Sequence, residues 1–118
     1  MEEINLRNYA YIGDAVWELF VRNITILRTQ NANDLHKITT DRVNAKFQHD
    51  LLMHIQDELT EDEFELMRRG RNLPVPVARK SNQSDYRMAT AFEVLIGWWY
   101  KNNFDRLEEI QRKLVDFL

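Results

Sequence analysis

A chain of 118 residues, 44% hydrophobic and 30% charged, is long enough for one compact domain with a real core. It contains no cysteine, which excludes a disulfide framework and thiolate chemistry. The net charge of −3 argues mildly against a polyanionic partner, but the charge is segregated: residues 57–65 carry six acids and no base, whereas residues 66–88 carry Arg68, Arg69, Arg71, Arg79, Lys80 and Arg87 against Asp85 alone. Local charge, not the total, decides where a polyanion sits. No run of eighteen apolar residues is present, and the N-terminal MEEINLRNYA is too polar for a signal peptide. The expectation is a soluble cytoplasmic protein with no membrane partner.

Taken in chain order, nearly everything reads as helix, and a single all-α domain over residues 1–118 follows. Leu6 to about Gln30 is a first helix, apolar round most of its circumference and therefore expected to be central and buried. QNAND interrupts it, with Asn33 or Asp34 capping a short turn through Asp34 to Lys37. A second long helix is expected from about Thr40 to Leu59, presenting Val43, Phe47, Leu51 and Ile55 on one face. Thr60 and Glu63 form a T-x-x-E capping box, opening a helix that ends near Met67 to Gly70. Residues 71–83 hold both prolines and form the one long loop. Ser84 is the expected N-cap of a helix reaching Tyr100. After KNN, Phe104 to Leu118 forms a closing amphipathic helix.

Two carboxylates stand out. Asp14 shares its helix face with Ala10, Tyr11, Trp17 and Glu18, and Gly13 precedes it. Glu93 shares its face with Ala89, Thr90, Ile96 and Gly97. A glycine removes the side chain that keeps two backbones apart, so these helices are expected to cross closely and to bring Asp14 and Glu93 together. Carboxylates gathered without a base raise each other's pKa, and a hard divalent cation such as Mg²⁺ relieves that. The plainer alternative is a solvated stripe of Arg7, Asp14, Glu18 and Arg22 with ordinary salt bridges.

The basic stretch supplies a second feature. Arginine and lysine neutralise phosphates, so Arg68, Arg69 and Arg71, continued by Arg79 and Lys80 in the proline loop, suit a phosphate-binding surface. Gly70 is expected to let the backbone approach a phosphate-bearing strand. The helix dipole alone explains Arg68 and Arg69, but not Arg79 and Lys80. Asp50 with His54 makes a poor metal site for want of a third ligand. Trp98 to Tyr100 reads as core or subunit interface rather than as a base-stacking platform.

AYIGDAVWELFVR resembles the signature segment of the ribonuclease III family, and YRMATAFEVLIGWWY resembles that family's second acidic motif. NDLHKITTDRVNAKFQ and RRGRN are most similar to its Mini-III branch. The resemblance implies the ribonuclease III catalytic fold, working as a homodimer without a separate double-stranded-RNA-binding domain. It implies a Mg²⁺-dependent endoribonuclease for double-stranded RNA, trimming large-subunit ribosomal RNA precursors. Asp14 and Glu93 match the catalytic, metal-holding acids, and Glu18 is a candidate to assist through a bound water. Longer family members carry further acids where this chain has Arg7, Ala10 and Thr90, so a leaner metal shell is expected. A ribosomal protein as helper is left open. The rivals are a catalytically inactive RNA-binding scaffold of a ribosome-associated particle, and a helical protein-interaction module.

Overall fold

The computed structural model describes residues 5–76 and 83–118, and every regular element among them is helical. Arg79 and Lys80 lie outside the described residues. Six α-helices follow in order: α1 Leu6–Thr25, α2 Ala32–Val43, α3 Ala45–Ile55, α4 Glu61–Arg71, α5 Gln83–Asn102 and α6 Phe104–Leu114. Short 3₁₀ turns, Gln56–Glu58 and Val115–Phe117, close α3 and α6.

Asparagine sets most of the starts. Asn5, Asn31, Asn44 and Asn103 each cap a helix by accepting a backbone N–H of the first turn. The expected break near residues 38–40 is therefore misplaced. Asn44 divides that region, accepting from the Phe47 N–H at 2.9 Å, and Val43 ends α2 rather than sharing a helix with Phe47. Asn31, not Asn33 or Asp34, caps α2. The Thr60 capping box is present, with both reciprocal bonds made. Ser84 lies inside the first turn of α5, not at its cap.

The central helix is α5, not α1. Ala91, Phe92, Val94, Leu95, Ile96 and Trp99 are all fully buried, and α1, α3, α4 and α6 pack round them. Trp17 and Val21 of α1 join this core, where Trp17 meets Phe92 edge-on at 5.1 Å. Leu51, Leu52 and Ile55 of α3, Met67 of α4, and Leu107, Ile110 and Leu114 of α6 complete it. The opposite side of α1 stays open: Tyr11 is 82% exposed and Leu19 62%. Apolar residues all round α1 thus cover two different faces, only one of which reaches the core.

Gly70 also differs from expectation. It is buried against α5, where an added Cβ would lie 3.2 Å from the Ala91 Cα and from Val94 Cγ2. It serves the packing of α4 on α5. Among the described residues, no helix is long and apolar enough to cross a membrane.

Candidate active site

The site begins where α1 crosses α5. A Cβ on Gly13 would lie 1.9 Å from the Glu93 carbonyl oxygen, and one on Gly97 would lie 1.9 Å from that of Tyr9. Only glycine permits backbones this close, as the sequence pattern led us to expect. Asp14 follows the first glycine directly, and Glu93 precedes the second by one turn. Their carboxyl groups share a hydrogen bond. Asp14 is exposed and Glu93 partly buried, so the pair has one wet member and one sheltered member.

Glu93 is pushed up to about 9. Burial is the first cause, the hydrogen bond and negative charge of Asp14 the next, and a contact from Gln48 opposes them. At neutral pH Glu93 therefore keeps its proton, and its O–H donates to the Asp14 carboxylate. Glu63, a buried glutamate, shows the opposite outcome. Burial alone would raise it, but Arg106 donates to both its oxygens at 3.0 and 2.9 Å, Trp99 Nε1 donates at 2.8 Å, and the Thr60 N–H at 2.9 Å. Glu63 is held below the ordinary carboxylate range and serves as structure. Glu93 has an acid where Glu63 has a base.

Gln48 of α3 is a residue that sequence reasoning missed. It is 2% exposed, beside Glu93, and close enough to lower that carboxyl's pKa. Its Nε2 nevertheless makes no hydrogen bond of ordinary geometry. A buried donor left unmade costs about 1–3 kcal/mol. The signal was available in its spacing: Gln48 stands three, four and seven residues before Leu51, Leu52 and Ile55, all core.

The remaining candidates fall elsewhere. Glu18 forms an i,i+4 ion pair with Arg22 at 3.1 Å and lines a groove of about 360 Å³ between α1 and α2. Arg7 donates to the Pro74 carbonyl at 2.6 Å, and Thr90 bonds back to the Tyr86 carbonyl at 3.0 Å, so neither position supplies an acid. Arg68 is paired with Glu65, its Nε at 2.9 Å, and Arg69 is exposed. Arg71 is half-buried, its carbonyl accepting from Arg87 at 3.4 Å. Asp50 pairs with Lys46 at 2.9 Å while His54 stacks on Phe117, so those two build no common site. Trp99 is core, whereas Tyr100 is exposed.

Among the described residues, no group of three or more His, Asp or Glu side chains assembles for a metal. Two carboxylates remain, hard oxygen donors with one displaceable proton between them. That set fits a magnesium-like ion, which keeps several waters and uses one or two protein carboxylates.

The Ribonuclease III domain profile matches residues 7–103, spanning both acids and all but the last helix. The chain belongs to the ribonuclease III family. It is a ribonuclease, with Mini-ribonuclease 3 proteins among its relatives. That of Clostridium tetani is 40% identical over 120 residues, covering 98% of this chain and 80% of the relative. That of Gloeobacter violaceus is 39% identical over 117 residues, covering 99% and 87%. A crystal structure of a protein from Fusobacterium nucleatum superposes with a TM-score of 0.85 at 27% identity, covering 98% of this ribonuclease III domain and 94% of that chain.

Proposed function

We propose that this protein is a magnesium-dependent endoribonuclease of double-stranded RNA, acting in the cytoplasm on large-subunit ribosomal RNA precursor. The observation that carries the reading is the hydrogen bond between Asp14 and Glu93, on which no base among the described residues acts. An RNA scaffold has no use for such a pair.

Asp14 and Glu93 hold the divalent cation in this reading. Bound there, the cation supplies charge neutralisation at the scissile phosphate and a nucleophile available at neutral pH. Glu93 would hold the cation from the sheltered side, and Asp14, the exposed member, would hold it from the side open to substrate. Arg68, Arg69, Arg71, Arg79 and Lys80 neutralise backbone phosphates, for which Arg68 exchanges its Glu65 partner. A duplex read by shape, phosphates and 2′-hydroxyls needs no base-reading element, which suits a domain this small. Two copies related by a two-fold axis offer one site to each strand. The open side of α1, with Tyr11, Leu19 and Ile26 each more than half exposed, supports that dimer.

Replacing the acids tests the reading. Asp14→Asn and Glu93→Gln are each expected to abolish Mg²⁺-dependent cleavage of a perfect RNA duplex while leaving duplex affinity within about twofold. Wild-type cleavage by either variant removes that carboxylate from the site.

A further inference from the structure

Gln48 is a polar side chain placed among core residues. It lies on the core-facing side of α3, is 2% exposed, and has an unpartnered Nε2. Its neighbour across the α3–α5 contact is Glu93. Glu93 in turn bonds Asp14 at the α1–α5 crossing. A carboxylate that holds a cation is acceptor-only and offers about four lone-pair sites. A cation shared with Asp14 uses only some of these. The rest need a donor inside the fold, and Gln48 brings two N–H groups on a side chain already held in place by α3.

We propose that Gln48 is a positioning residue of the acidic site, its Nε2–H aimed at the Glu93 carboxyl group and fixing which oxygen turns towards Asp14. The inference rests on reading Asp14 and Glu93 as a cation-holding pair. It assigns a role to a buried amide that stands beside Glu93 with no hydrogen bond of ordinary geometry. Outer partners that orient a ligating carboxylate typically change metal affinity or activity by 10–100-fold when removed.

The test uses Gln48→Met, which keeps length and removes the donors, with Mn²⁺ as the probe of hard-cation binding. Mn²⁺ affinity, followed by electron paramagnetic resonance, should fall by about 10–100-fold. In duplex cleavage kcat should fall while KM stays unchanged. The melting temperature of the metal-free variant should equal or exceed that of the wild type, because an orphaned buried donor has been removed. Wild-type Mn²⁺ affinity and kcat in Gln48→Met would overturn the proposal. So would a lowered metal-free melting temperature in both Gln48→Met and Gln48→Leu, which would assign Gln48 to packing. Wild-type Mn²⁺ binding that is indifferent to Asp14→Asn would instead overturn the cation-holding pair, and this inference with it.

Discussion

Two sheltered glutamates on neighbouring helices, Glu63 buried and Glu93 partly so, show how environment decides a carboxyl's protonation. Glu63, enclosed by Arg106, Trp99 and the Thr60 N–H, is ionised and fixed. Glu93, facing Asp14, is neutral up to about 9, whereas in the unfolded chain it ionises near 4.5. Between those values the folded protein holds a proton that the unfolded chain has released, so metal-free stability falls as pH rises through that window. Glu93→Gln stays neutral at every pH and lacks this contribution. Thermal unfolding without metal should show the variant gaining on wild type from about pH 5 to pH 8; parallel curves would mean that Glu93 is already charged in the fold. The acids themselves were legible, because each stands on an otherwise small or apolar strip with a glycine close by. Gln48 was legible only as a core-facing position, from its spacing to Leu51, Leu52 and Ile55; its tie to Glu93 was not, because that neighbour lies on a distant helix. Arg106 was hidden in the same way, since nothing near it in the chain announces Glu63.

At the level of helices, glycine decides the architecture. Gly97→Ala would drive a Cβ into the Tyr9 carbonyl at 1.9 Å, and backbone cannot yield as a side chain does. We expect urea unfolding to show a loss of at least about 3 kcal/mol, the upper part of the range for overpacked sites. Gly70→Ala is the informative contrast, since its contacts at 3.2 Å need only small adjustment and alanine returns about 1 kcal/mol of helix propensity. It should stay within about 1 kcal/mol of wild type. Equal losses at both glycines would argue against a backbone-to-backbone crossing. Helix type was readable throughout from periodicity, and the Thr60 box from four residues. Boundaries were harder. Asn44 interrupts a run whose apolar spacing continues across it, so only its capping bond reveals two helices. The apolar girth of α1 was legible as well, but periodicity cannot tell a face meant for the core from one meant for another molecule.

Across the whole molecule, the segregated charge finds different partners. Glu58 and Glu63 of the acidic segment are met by Lys113 and Arg106 of α6. The basic stretch is left with few acids of its own: Glu65 pairs with Arg68, and Asp85 lies towards His49 at 3.9 Å. The open apolar side of α1 belongs to the same scale. Leu19→Asp is expected to convert a dimer into a monomer in sedimentation equilibrium while preserving the helical circular dichroism spectrum. A wild-type protein that sediments at a single chain mass would refute the dimer outright.

The crossing at Gly13 and Gly97 has one more consequence. Main chain touches main chain there, so the gap between the acids is set by helix register rather than by the reach of flexible side chains. The two helices act as the jaws of a caliper. One residue inserted between Glu93 and Gly97 would swing Glu93 about 100° round its axis and open the caliper, with every ligand atom still present in the sequence.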